Sequence, residues 1–146
     1  MKTILLLSLS IFLLSSGSWL TDFNEAAKTA TEKHQLILLN FSGSDWCGPC
    51  IRLRKEIFES TTFIRFADTG LVLINADFPR NKKDRLSADQ TNQNNLLADK
   101  YNPEGKFPFT LLLNADGKVL KAWDGFPNEK PADFVAQIKV ICDANK

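Results

Sequence analysis

The stretch Trp46-Cys47-Gly48-Pro49-Cys50 constrains this chain more than any other, because of what flanks it. The run before it, Leu36-Ile37-Leu38-Leu39-Asn40-Phe41, is apolar without alternation. Such a run reads as a strand covered on both faces, as at the centre of an α/β sheet. The run after it, Ile51 to Phe58, has helical periodicity. Cys50, Leu53 and Ile57 share one face, while Arg52, Lys55, Glu56 and Glu59 lie mostly off it. Two cysteines at C-x-x-C spacing are thus placed at a strand-to-helix junction. Pro49 stands where a first helical turn tolerates a missing N–H. A bare C-x-x-C says little, but in this context it points to a disulfide that opens and closes.

The rest of the chain extends the α/β pattern. Thr21 to Glu32 is predicted as a helix, with Asp22 and Glu25 as a capping pair and an apolar stripe of Phe23, Ala26, Ala27 and Ala30. Thr61 to Thr69 is predicted as a short helix with Phe63 and Phe66 inward and Gly70 as its C-terminal cap. Leu71 to Ala76 is a second buried strand. Pro79 to Asn95 is rich in Lys, Arg, Asp, Asn and Gln, and reads mainly as a loop. Leu96 to Tyr101 reads as a short helix. Phe109–Leu113 and Lys118–Trp123 form a hairpin around Asp116-Gly117. Pro131 to Ala144 is the last helix, with Phe134, Val135, Ile138, Ile141 and Cys142 on one face. The order α-β-α-(α)-β-α-β-β-α predicts one mixed sheet with helices on both faces, in the α/β class. No internal repeat or second domain is visible.

The first eighteen residues read as an address. Met1-Lys2, an apolar core from Ile4 to Leu14 and the tail Ser15-Ser16-Gly17-Ser18 are the three parts of a secretory signal peptide, with cleavage expected near Ser18. A membrane-spanning helix needs about 20 apolar residues, and this run is shorter and interrupted by serines. Removing residues 1–18 leaves 19–146, enough for one domain with a single core. The formal net charge of +1 includes Lys2, so the remaining chain is close to neutral. It has neither an overall basic footprint for nucleic acid nor a basic helix for stable membrane attachment after cleavage.

A thiol attacks a disulfide as thiolate, and an ordinary cysteine thiol ionises only near about pH 8.5. Cys47 stands where a helix begins, so unpaired N–H groups and the helix dipole favour its anion. Cys50, one turn further in, can donate its S–H to the Cys47 sulfur. The expectation is an exposed nucleophile, Cys47, and a more buried resolving thiol, Cys50, cycling through a mixed disulfide. Three other readings compete. A structural disulfide with a two-residue spacer removes little chain entropy. A zinc site needs four ligands, and the chain offers beyond the pair only Cys142 and His34, without paired spacing. A redox fold kept only as a binding module would preserve the groove without turnover.

The string Ser42-Gly43-Ser44-Asp45-Trp46-Cys47-Gly48-Pro49-Cys50 resembles that of thioredoxin-family proteins, in particular exported thioredoxin-like ones. The resemblance runs from about Trp19 to the C-terminus. Its second anchor is Phe107-Pro108-Phe109-Thr110. The family has a cis-proline at this point facing the cysteines, beside backbone that pairs with the substrate. The resemblance implies that role for Pro108. It also implies substrate contacts at Trp46, Gly48, Pro49, Phe107 and Gly125. It implies the thioredoxin fold, protein disulfides as substrates, no cofactor and no metal. The Cys-Gly-Pro-Cys spacer resembles that of reducing thioredoxins, whose potentials lie near about −270 mV. That favours a reductase over an oxidase; the alternatives are an oxidase or isomerase, or a non-catalytic thioredoxin-like binding module. A reductase in a periplasmic or extracellular setting implies a membrane electron donor. Two departures stand out. Asn40 occupies the position of the family's buried aspartate, and the lysine that pairs with that aspartate falls near Leu73. A costly buried ion pair is therefore lost as a unit.

Among the remaining residues, Trp46 reads as a contact surface for substrate or a lid on the core. Asp45 reads as a solvated acid. Trp19 and Trp123 read as packing residues, His34 as an exposed helix end, and Cys142 as a buried inert thiol. Arg80, Lys82, Lys83 and Arg85 form a basic run that reads as solvated surface or as a partner contact.

Overall fold

The computed structural model describes residues 18–145. The expected signal peptide lies outside these residues, apart from Ser18. No described helix is long and apolar enough to cross a membrane.

Four strands form one sheet in the order β2-β1-β3-β4. These are β1 (Leu36–Ser42), β2 (Leu71–Asp77), β3 (Phe109–Leu113) and β4 (Val119–Asp124). β1 runs parallel to β2 and antiparallel to β3, and β3 pairs antiparallel with β4. All seven residues of β1 are buried. The reason is a period of two under an unbroken apolar sequence. Leu36 and Leu38 point into one core with Leu53, Ile57, Phe63 and Phe134. Ile37, Leu39 and Phe41 point into the other with Ala26, Ala30, Leu97 and Tyr101. Each fully buried Leu, Ile or Phe contributes roughly 1.5–3 kcal/mol, so this strand is the anchor of both layers.

The helices are α1 (Phe23–Lys33), α2 (Gly48–Leu53), α3 (Thr61–Gly70), α4 (Ala88–Tyr101) and α5 (Pro131–Ala144). Asp22 caps α1 by accepting the Glu25 N–H at 2.9 Å. Ser60 caps α3 by accepting the Phe63 N–H at 3.2 Å. α2 passes directly into a π-helical turn, Arg54–Phe58, which keeps Ile57 and Phe58 buried. The hairpin turn closes as expected. Asn114 Oδ1 accepts the N–H groups of Asp116 and Lys118, and Gly117 takes φ 83°. The segment before α1 adds to the sheet edge: Leu20 N–H donates to Leu73 O, and Asn75 N–H to Leu20 O. That shields the backbone of β2, an edge strand otherwise open to stray pairing.

Two sequence expectations are corrected. Half of the expected Pro79–Asn95 loop is helix, because α4 begins at Ala88 after a short 3-10 turn at Lys82–Asp84. Ser87 caps α4 by accepting the Gln90 N–H at 3.1 Å. Its inward contacts there are amides. Buried Asn94 donates to Asp77 O at 2.8 Å, and Gln90 Nε2 donates to Thr21 O at 3.0 Å and to Asn94 Oδ1 at 2.9 Å. A helix held through side-chain amides lacks the apolar period that marks one in sequence. Secondly, Gly70 is the last residue of α3 and does not adopt the left-handed conformation of a capping glycine. Among the described residues, the glycines with positive φ are Gly105, Gly117 and Gly125.

Candidate active site

β1 ends at Ser42, and Gly43 turns the chain so that the Trp46 and Cys47 N–H groups both donate back to Gly43 O, at 3.3 and 2.9 Å. Cys47 is the N-cap of α2. Its carbonyl accepts the Ile51 N–H at 3.1 Å, and its sulfur accepts the Cys50 N–H at 3.3 Å. One first-turn donor, the Cys50 N–H, thus points at the Cys47 sulfur. Cys47 and Cys50 are joined as a disulfide with a Cα–Cα distance of 5.2 Å. The expectation of an exposed Cys47 is corrected for this oxidised form: Cys47 is 5% exposed and Cys50 3%, so the disulfide buries both sulfur-bearing residues. Gly48 and Pro49 are exposed in the first turn, and space around Gly48 is open.

The Phe107–Pro108 peptide bond is cis. Pro108 O accepts the Gly125 N–H at 2.9 Å, and Gly125 has φ 81°, which glycine adopts without strain. The Phe107 ring meets the Trp46 ring edge-on at 5.5 Å and the Phe78 ring likewise at 5.5 Å. Trp46, Phe107, Pro108 and Gly125 therefore form one connected set of contacts that reaches the residue before Cys47. Beyond Gly125, the Arg52 guanidinium lies 4.0 Å over the Phe126 ring, tying α2 to the same segment.

Trp46 is fixed rather than free. Its Nε1 donates to Phe78 O at 2.8 Å, and the Arg80 guanidinium sits 3.6 Å over its ring. Part of its flat surface is thus covered by the chain itself. Asp45 departs from the expected solvated acid. It accepts the Arg80 N–H at 3.0 Å and the Asn81 N–H at 2.7 Å. The backbone hydrogen bond from Arg80, more than that from Asn81, holds its carboxyl below the ordinary aspartate range.

Behind Cys50 lies a cavity of about 130 Å³ lined by Trp19, Asn40, Ser42, Arg54 and Asn75 among others. Among the described residues, no carboxylate lines it. Asn40 is 6% exposed, donates to Asn75 Oδ1 at 2.9 Å and accepts the Thr110 hydroxyl at 3.0 Å. Asn40 pairs in register with Asn75 and Thr110, while Leu73 pairs with Leu38 in the apolar core. Among the described residues, every buried side-chain polar atom has a partner. A satisfied amide pair costs the fold far less than a buried charge would. Trp19 and Trp123 pack as expected: Trp19 lies 5.0 Å from Phe58, and buried Trp123 lies 5.0 Å from Phe134. His34 is exposed at the end of α1, and Cys142 is half-buried on α5, outside the disulfide.

Sequence reasoning missed Asn75, Phe78 and the stacked Arg80. Asn75 shares a face of β2 with Leu71 and Leu73, but only the β1–β2 register sets it opposite Asn40. Phe78 and Arg80 follow β2 in irregular backbone, where no period predicts direction.

Comparison with known proteins gives a consistent result. The Thioredoxin-like domain family matches residues 23–139. Disulfide bond reductase DsbH of Chlamydia pneumoniae is 34% identical over 117 residues, covering 80% of this chain and 68% of that protein. Thioredoxin-related protein DsbJ of the same organism is 31% identical over 133 residues, which is 86% of this chain but 37% of that longer protein. A solved DsbH oxidoreductase superposes with a TM-score of 0.79 at 27% identity, covering 97% of this chain and 95% of the other. A thioredoxin from Thermus thermophilus, 14% identical, shares the fold with a TM-score of 0.64.

Proposed function

This chain belongs to the thioredoxin-like family and is a thiol–disulfide oxidoreductase; from that premise we propose that it works in the reducing direction on protein disulfides. One observation carries the reading: Cys47 is both an N-cap whose sulfur receives a first-turn N–H and one half of a disulfide, directly after a Trp46 whose ring meets that of Phe107.

In the proposed cycle the reduced protein presents Cys47 as thiolate. It attacks one sulfur of a client disulfide and forms a Cys47–client bond, and the other client sulfur leaves as thiolate and takes up a proton. Cys50 then loses its proton and attacks the Cys47 sulfur. The Cys47–Cys50 bond re-forms and the second client thiolate leaves. Two electrons pass from protein to client. Pro49 gives up no hydrogen bond in the first turn and stiffens it. Trp46, Phe107, Pro108 and Gly125 are proposed to seat the client backbone, with Gly48 leaving open room beside the sulfur. Asn40 cannot accept the Cys50 proton, so that proton passes to solvent or to the departing thiolate.

The direction is supported by the Cys-Gly-Pro-Cys spacer and by the name of the Chlamydia relative, a disulfide bond reductase. We further propose that residues 1–18 direct export, that 19–146 is the working domain, and that a membrane dithiol partner restores the reduced form. The test is dithiol-driven reduction of insulin together with a redox titration of the pair. Wild type is expected to turn over with a potential near about −270 mV, and Cys47→Ser to show background only. A potential near about −120 mV, that of a strong oxidant, would reverse the direction.

A further inference from the structure

The basic run remains unused by the redox chemistry. Residues 80–87 contain four cations, Arg80, Lys82, Lys83 and Arg85, against one acid, Asp84. The segment and the Phe78 just before it are built onto the active-site loop at three points. The Asp45 carboxylate holds the Arg80 and Asn81 N–H groups. The Arg80 guanidinium stacks on Trp46. Trp46 Nε1 binds Phe78 O. Asp45 and Trp46 are the two residues before Cys47, so the cations occupy a set position relative to the disulfide.

The run is set apart by clustering beside the active-site loop and not by being unpaired. Exposed Lys33, Lys55, Lys118 and Lys130 also make no ion pair among the described residues. Elsewhere on the surface Arg52, Arg54, Lys106 and Lys139 each meet an acid of the same chain within 3.2 Å. Lys82, Lys83 and Arg85 are exposed and make no ion pair among the described residues. Exposed charge of one sign beside a reactive bond raises the local concentration of partners of the other sign.

A receiving surface accompanies the charge. An open groove of about 590 Å³ runs between this segment and α4, lined by Phe78, Pro79, Arg85, Leu86, Asn92 and Asn95 among others. Asp77 also borders it, but its carboxylate is taken by the Ser44 N–H and hydroxyl. Phe78 joins the groove to the client seat, because its ring packs on Phe107. A polypeptide bound along Phe107-Pro108 thus has a continuous path over aromatic surface to the basic turn.

We propose that residues 80–87 and the adjoining groove select clients, taking an acidic stretch of polypeptide that lies next to the disulfide to be reduced. This deepens the reductase reading and rests on it.

The test uses two synthetic peptides with one intramolecular disulfide each, identical except for three Glu or three Gln beside one cysteine. Specificity (kcat/KM) is measured for both at about 20 mM and about 500 mM ionic strength, where screening lengths differ several-fold. For wild type the Glu peptide is expected to be reduced about tenfold faster at low ionic strength and about twofold faster at high. The ratio taken on one protein does not depend on how active the preparation is. In Lys82→Glu/Lys83→Glu/Arg85→Glu it should fall to about one or below. Both peptides reduced at equal rates by wild type, or an unchanged ratio in the triple variant, overturns client selection alone. Neither peptide reduced overturns the reductase reading and this proposal together. Binding to phosphatidylglycerol vesicles that needs the same three residues, with a peptide ratio of one, would assign the surface to lipid instead.

Discussion

The Cys50→Ala protein, reduced and mixed with a disulfide-bonded client, will accumulate as a covalent adduct through Cys47. Its turnover will fall by at least about 10³-fold. The estimate follows from what Cys50 supplies. With its Cα 5.2 Å from that of Cys47, it attacks the mixed disulfide within one molecule. Well-oriented intramolecular reactions reach effective molarities of about 10⁵ M, whereas an external thiol at about 1 mM must collide with the adduct. Non-reducing electrophoresis and intact mass will show the adduct, and excess dithiol will release it. Cys47→Ser, which keeps only the deeper sulfur, will form none. A Cys50→Ala protein that retained half the wild-type rate on a protein disulfide would mean that Cys50 does not resolve the exchange.

The second large effect falls on a residue with no reactive group. Gly43→Ala is expected to destabilise the fold by about 2–4 kcal/mol and to slow client reduction. A Cβ at position 43 would meet the Trp46 ring, overlapping Cε2 and lying 2.6 Å from Cζ2 and Nε1. The ring has nowhere to go. Its Nε1 is bound to Phe78 O, Arg80 covers one face and Phe107 meets it edge-on. Relief therefore means losing the Nε1 hydrogen bond or shifting the turn in which Gly43 O holds the Cys47 N–H. Either change moves the nucleophile. Urea denaturation of the oxidised protein gives the stability change and insulin reduction gives the rate. A loss under about 0.5 kcal/mol, the size of an ordinary surface substitution, would show that Trp46 is not pinned.

Much of this was legible in the sequence because two signals agreed at one place. The apolar run 36–41 could only be a doubly covered strand, and the helical period behind the cysteines fixed what followed. The last helix and the hairpin were equally plain, through Pro131 at a first turn and Asp116-Gly117 between two strands. The first half of α4 was hidden, because its inward contacts run through the amides of Gln90 and Asn94. Asn40 was placed correctly at the buried position. Its partner, Asn75, needed the β1–β2 register, which a single chain does not display. Asp45 read as an ordinary solvated acid because its two partners are backbone N–H groups 35 and 36 residues away. Side-chain identities carry no trace of such contacts. The same gap concealed how the basic run is fastened to Trp46.

The central claim is that the start of α2 makes the Cys47 sulfur an anion more readily than an ordinary thiol. It is tested most directly by alkylating the fully reduced wild-type protein across a pH series and mapping each cysteine by mass. The account predicts that Cys47 is modified first and that its reactivity rises with an inflection well below that of a free thiol, with Cys50 protected throughout. Titration of Cys47 at the ordinary thiol position, or modification of Cys50 ahead of it, would contradict the account.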